Sequence, residues 1–242
     1  MATRAARGYG QYSGTARALE RVGDRWALLI VRDLLIGPRR YGDLKASLPR
    51  IPTNILSDRL KELQEAGVLR RVPTVRGGYE LTALGHALEP AVMALERWGW
   101  SVLGEPGEGD GVGADALAMS LRAAFRADAA AALPPTEYVL HVGDVSVSAI
   151  VVAGTLDIVA VGPGALPSPR RRSAFEPVAS AVLELEVTPS ELRDLMSAGS
   201  EGSDAATARF TGDDELLGRF TSTFRIDPIE PTAGRDGLAA AS

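Results

Sequence analysis

Apolar residues in the first hundred positions recur at spacings of three and four. Ala16, Leu19 and Val22 form one run, and Trp26, Leu29, Ile30, Leu34 and Leu35 form a second, with Gly23-Asp24 between them. This spacing puts one apolar stripe on a helix. It predicts a helix over 15–22 and another that opens at Asp24 as N-cap and stops at Gly37-Pro38. Tyr41, Leu44 and Leu48 predict a short third helix ahead of Pro49. After the turn Pro49-Arg50-Ile51, a fourth helix over 52–66 turns Ile55, Leu56, Leu60 and Leu63 to one side and Thr53, Asn54, Ser57, Asp58 and Lys61 to the other, with Gly67 closing it. The period then shortens. Residues 68–74 and 79–81 read as strands around the basic tip Arg76-Gly77-Gly78, and a last helix over 84–103 carries Leu88, Val92, Leu95, Trp98 and Val102 as one stripe.

Beyond this point the pattern changes. Residues 104–113, rich in Gly and acid, show no apolar periodicity and read as a linker. Residues 114–132 are Ala-rich and predict a helix, and 138–142, 145–152 and 155–161 are β-branched runs separated by Gly143-Asp144 and Ala153-Gly154, a meander of three strands. A strand over 181–187, a helix over 189–196 with Thr188 as N-cap, a strand over 208–211 and a helix over 213–224 complete the series. The expected class is α+β: a winged helix-turn-helix over 1–104, the linker over 105–113, and over 114–230 a mainly antiparallel sheet with helices on one face. Residues 231–242 lack large apolar anchors other than Leu238 and are expected to be a disordered tail, as is the start of the chain to about Tyr9.

Charge separates the same two halves. Residues 1–104 hold 16 Lys or Arg against 10 Asp or Glu, a net +6, whereas residues 105–242 carry a net −11. The overall charge of −5 therefore hides a basic half of the kind that meets a polyanion. A helix, a tight turn and a second helix with polar N-terminal turns is the arrangement that brings side chains to base edges in the major groove. Thr53, Asn54 and Ser57 are the candidates for base contact, with Arg39, Arg40, Arg59, Lys61 and, at the wing tip, Arg76 for the phosphates and Arg50 nearby. A polar helix face is also what plain solvation produces, and the wing is the feature that favours DNA.

Residue chemistry excludes several classes. Cys is absent, which rules out disulfides, thiolate metal sites and thiol redox sensing. The two histidines, His86 and His141, stand in no metal-ligand spacing, and no nucleophile elbow or phosphate-cradling Gly loop occurs, so neither an enzyme nor a metal or cofactor site is expected. No apolar run reaches membrane-spanning length, and no signal peptide is evident, so a cytoplasmic location is expected. Arg170-Arg171-Arg172, the one basic cluster in the acidic half, suits pairing with carboxylates, the other reading being an anionic head group.

The segment GDRWALLIVRDLLIGPRRYGDLKASLPRIPTNILSDRLKELQEAGVLRR, followed by YELTALGHAL, resembles the HxlR family of winged-helix regulators over about residues 12–103. The resemblance implies a homodimer on a palindromic DNA operator, joined through helices 15–22 and 82–103, with Leu19, Leu88, Val92, Leu95 and Trp98 at the contact. The other reading of Trp98 and Trp100 is packing on the second half of the same chain. Many family members carry a Cys before the first helix, where this chain has Tyr12-Ser13. The wing is also shorter than is common in the family.

The stretches AGTLDIVAVGPG and ARFTGDDELLGRFTSTFRI resemble the sterol-carrier-protein-type lipid-binding domain over about 112–226. That resemblance implies an apolar cavity for a small hydrophobic ligand, lined by Phe125, Ile150, Leu156, Phe175, Leu217, Phe220 and Phe224, with His141 available for one hydrogen bond. The same residues would equally serve as plain core. Three functions compete: a ligand-modulated DNA-binding regulator, by expectation a repressor; a DNA-binding protein whose second half only assembles partners; and an enzyme fused to a DNA module.

Overall fold

The computed structural model describes residues 8–73, 77–161, 179–197 and 209–227. The protein is mixed α+β, with ten helices and seven strands among the described residues. Arg76, Phe175, Arg170 to Arg172 and the tail 231–242 lie outside them.

Four helices open the chain: α1 (Gly14–Val22), α2 (Ala27–Ile36), α3 (Tyr41–Ser47) and α4 (Thr53–Glu65). Asp24 does not cap α2, whose N-cap is Trp26; its carboxylate instead accepts the Trp26 N–H at 3.0 Å in a turn one step earlier. Ile30, Leu34, Leu44, Leu56, Leu60 and Leu63 bury the stripes that the spacing predicted into one core. A hairpin follows, β1 (Leu69–Val72) against β2 (Gly78–Leu81), and residue 39 extends it: the Arg39 and Tyr79 backbones exchange hydrogen bonds of 3.0 and 2.8 Å.

The expected helix 84–103 is two helices, α5 (Ala83–His86) and α6 (Glu89–Trp100). Thr82 caps α5, accepting the Gly85 N–H at 3.2 Å while its hydroxyl donates to the Gly67 carbonyl at 2.6 Å. A Cβ at Gly85 would collide with the carbonyl oxygen of Val68, so this glycine is what lets α5 close onto the base of the hairpin. Pro90, without an N–H, suits the first turn of α6, where that donor would have no helical acceptor.

The Ala-rich run is interrupted too. It forms α7 (Ala114–Ala124) and α8 (Ala127–Ala130), because Phe125 turns extended and bridges Phe224. Here Arg126 N–H donates to the Thr223 carbonyl and Arg225 N–H to that of Ala124, both at 2.8 Å. Strands β3 (Thr136–Val142), β4 (Val145–Val152), β5 (Thr155–Val161), β6 (Ala181–Val187) and β7 (Arg209–Thr211) form a sheet of order β5-β4-β3-β6-β7. It is antiparallel except for the central β3–β6 pair, which is parallel. Alternation sends Tyr138, Leu140, Val147, Ala149, Leu183 and Leu185 to one face, under α7, α9 (Pro189–Ser197) and α10 (Asp214–Thr223). Glu137, His141, Ser146, Ser148 and Glu184 share the other face, joined by side-chain hydrogen bonds.

The segment after Trp100 does not hold two independent bodies apart. Helix α7 is a common wall: Leu117, Leu121 and Ala124 enter the core beneath the sheet, while Met119, wholly buried, enters the core of the helical half. Arg39 and Asp115 meet across this wall as a buried bidentate pair, Nε to Oδ2 at 2.9 Å and Nη2 to Oδ1 at 2.6 Å. Further ties run from Ser120 to Glu96, from Arg97 to the Ala123 carbonyl and from Trp100 to Ser197. Removing one partner of a buried pair leaves an uncompensated charge. Asp115→Ala should therefore cost about 3–5 kcal/mol in denaturant titrations, and Arg39→Met with Asp115→Leu should regain most of it.

Asp33 on α2 is completely buried; its Oδ1 accepts from Arg32 at 2.9 Å and its Oδ2 has no partner. Burial raises the pKa of this carboxyl above its ordinary value of 3.8, against the pull of Arg32 and with the help of Asp115. The folded chain thus holds this proton to higher pH than the unfolded one. The stability that protonation contributes is lost as pH rises from about the ordinary carboxylate range through the folded value. Asp33→Asn, which mimics the protonated acid, should match the wild type in acid and exceed it in melting temperature toward neutral pH.

Candidate nucleic-acid interface

Helices α3 and α4 are joined by five residues and locked at their N-terminal ends. The Tyr41 hydroxyl donates to the Thr53 carbonyl at 2.8 Å, and the Ser57 hydroxyl lies 3.4 Å from that of Tyr41. Sequence reasoning used Tyr41 only as an apolar position and missed this clamp, whose signal would have been an aromatic hydroxyl on the short helix opposite the start of the next. With Leu56, Leu60 and Leu63 buried, the helical period leaves Thr53, Asn54, Ser57, Asp58 and Lys61 exposed on one side. The first turns of α4 therefore present a donor- and acceptor-rich surface, although the Ser57 hydroxyl also bonds back to the Thr53 carbonyl at 3.1 Å.

The arginines divide sharply. Arg39 is only 4% exposed; its Nε and Nη2 donate to Asp115 and its Nη1 to the Pro38 carbonyl, so it is a tie between the halves and is withdrawn as a phosphate contact. Arg59 is turned to the back of α4, held by Glu62 at 2.9 Å and Asp24 at 3.4 Å. It too is not presented with the polar face, because α4 places it between the buried Leu56 and Leu63 rows. Arg50 is drawn to the segment after α6, 3.3 Å from Asp110. Arg40 remains exposed at the start of α3, and Lys61 makes only a loose 3.8 Å approach to Glu65. On the hairpin, Arg70 pairs with Glu80, and the Arg71 guanidinium lies 5.4 Å over the Tyr79 ring. Arg71 is an exposed cation beside the wing that the sequence reading did not single out.

The expected dimer residues divide as well. Leu95 and Trp98 are exposed on α6 and Leu19 on α1, with Leu84, Val102 and Leu103 nearby in sequence. Val92 is buried in the chain's own core and is corrected to a core position, while Leu88 is half-buried and packs against that core. The tryptophans part company: Trp98 is 58% exposed, whereas Trp100 packs on the second half and donates to Ser197.

The expected ligand-lining residues are not brought to one space. Phe220 and Phe224 are fully buried in a cluster with Tyr138, ring centres 5.1 to 5.5 Å apart, and Phe125 joins its edge. Leu156 and Leu217 pack against that core, but His141 and Ile150 sit on the opposite face of the sheet, because strand alternation puts them with Glu137 and Ser148. His141 is occupied there by Ser146 at 2.7 Å and Glu184 at 2.9 Å. No group of metal-ligating side chains occurs among the described residues, and no helix there is long and apolar enough to cross a membrane.

Comparison with known proteins bears on the first half. The HxlR-like helix-turn-helix profile matches residues 21–106. An HTH-type transcriptional regulator of Mycobacterium tuberculosis is 45% identical over 94 residues, 37% of this chain and 59% of the relative. The HTH-type regulator YvaP of Bacillus subtilis is 40% identical over 86 residues, 34% of this chain and 80% of YvaP. The chain belongs to the HxlR-like helix-turn-helix family. It spans 59% of the length of the mycobacterial relatives it matches. The solved structure of quinone-bound YodB from B. subtilis, at 32% identity, covers 35% of this chain and 91% of YodB with a TM-score of 0.32. This member of the family carries an additional α+β half beyond the profile match.

Proposed function

We propose that this HxlR-family protein is a homodimeric repressor that reads a two-fold symmetric DNA operator with α4 and is modulated by a small apolar molecule acting on its second half. The observation that carries the DNA reading is the clamped α3–α4 pair, with Thr53, Asn54 and Ser57 exposed on its first turns beside Arg40 and Lys61. Helix N-terminal turns of this kind enter the major groove and meet base edges, while flanking cations meet phosphates. Arg71 adds cationic reach on the hairpin side.

Exposed Leu19, Leu95 and Trp98 support the dimer, since these are apolar side chains that a second copy of the chain would cover. Two copies would then present their α4 helices to successive turns of the major groove. For the second half we propose a domain of the sterol-carrier-protein type; one layer of helices over a sheet enclosing an aromatic interior supports that reading. YodB is described as quinone-bound; with no Cys in the chain, the input proposed for this protein acts by non-covalent binding. The alternative, a second half used only for assembly, predicts that no apolar compound alters operator binding.

Titration of the protein against its own upstream DNA at fixed salt tests the central reading, which fails if binding shows no sequence preference. Asn54→Ala or Ser57→Ala should relax preference at particular base pairs by about 1–3 kcal/mol, whereas Arg40→Ala or Lys61→Ala should weaken all sequences and lower the salt slope by about one. Equal, sequence-independent losses in both sets would contradict the assignment of base readout. Leu95→Lys should convert the dimer to a monomer in sedimentation experiments with its helical content intact; a persistent dimer would remove α6 from the interface.

A further inference from the structure

A cleft of about 440 Å³ opens between the two halves. One wall is α3 and the end of α2, contributing Ile36, Asp43 and Ser47; the other is the β4–β5 hairpin, contributing Asp144, Val147 and Ile158; the floor is α7 with the Arg39–Asp115 pair. Its volume lies within the range of sites for drug-sized molecules, and its lining mixes aliphatic side chains with a few polar groups.

The charge of that lining is one-sided. Among the described lining residues Arg39 is the one cation, and it is spent on Asp115, so the pair contributes no net charge to a ligand. Asp43 and Asp144 remain. Among the described residues Asp43, half-buried, accepts only the Arg40 N–H at 2.8 Å, and Asp144, exposed on the turn before β4, makes no ion pair. Ser47 also lines the cleft, its buried hydroxyl turned toward the Asp33 carboxyl. Two uncompensated carboxylates above an aliphatic wall favour a positive charge on an apolar body and oppose a negative one.

We propose that this interdomain cleft, and not the aromatic interior beneath the sheet, is a binding site for a small hydrophobic cation such as an apolar amine. Occupancy would act on α3 directly, since Asp43 and Ser47 belong to the helix that is clamped to α4 through Tyr41. A ligand that binds one spacing of α3 and the β4–β5 hairpin better than another must shift the position of the helix-turn-helix on α7. This regulatory consequence rests on the DNA-binding reading above; the site itself does not.

The test uses the full chain and two ions of matched shape and opposite charge, tetraphenylphosphonium and tetraphenylborate, titrated by calorimetry without DNA. The expected result is saturable binding of the phosphonium and none of the borate. Asp144→Lys should weaken the phosphonium about tenfold, the scale of a reversed charge several ångströms away at a solvated mouth. Ala160→Phe, which narrows the cleft from β5, should abolish binding while a melting curve confirms the fold. Equal binding of both ions, preference for the borate, no binding of either, or phosphonium affinity unchanged in both variants would overturn the proposal. Binding that follows the expected pattern but leaves operator affinity unchanged would keep the site and overturn its coupling to α3.

Discussion

The buried pair of Arg39 and Asp115 is the constraint around which the two halves are arranged. The Arg39 backbone adds a bridge to the hairpin at Tyr79, and its side chain reaches α7, so one residue joins the start of α3, the wing and the wall between the cores. An ion pair taken out of water gains little over apolar packing, but a broken one is very costly. Its effect is therefore on specificity of arrangement: a displacement of α7 relative to α3 must either keep the bidentate geometry or strand a charge.

With that joint in place, the other contacts follow as reinforcement. Met119 enters one core and Leu117 and Leu121 the other, so sliding α7 would cost packing in both. Arg97, Ser120 and Trp100 tie α6 to the second half, which buries one side of α6 and leaves Leu95 and Trp98 on the other. The result is a helix-turn-helix attached to its companion half by packed helices rather than by a free tether. The cleft between them and the exposed polar face of α4 are thus separated by a single short helix, α3.

The first half was largely legible in the sequence. Periods of three and four located α1 to α4, Gly67 and Pro52 marked the ends of α4, and the order of motifs up to YELTALGHAL carried the family resemblance that the profile over 21–106 bears out. The β-branched runs of the second half located β3 to β6 within two residues. These features depend on neighbours along the chain, where spacing alone decides which side chains share a face.

Partnership across the chain decided the rest. Composition counted Arg39 and Arg59 as cations available to DNA, but only folding brings Asp115 and Asp24 against them, at 76 and 35 positions' distance in the chain. The break at Phe125 arises from a bridge to Phe224, and the parallel pairing of β3 with β6 from the crossover between them, neither of which leaves a local signature. Val92 and Leu95 are equivalent in a hydrophobic stripe, yet one is buried in the chain's own core and the other is exposed. The sequence by itself determined where most helices and strands lie and that the basic half resembles a DNA-binding regulator. The tertiary structure alone decided which charges are free and where a cleft opens, because both depend on which distant groups neutralise or cover one another.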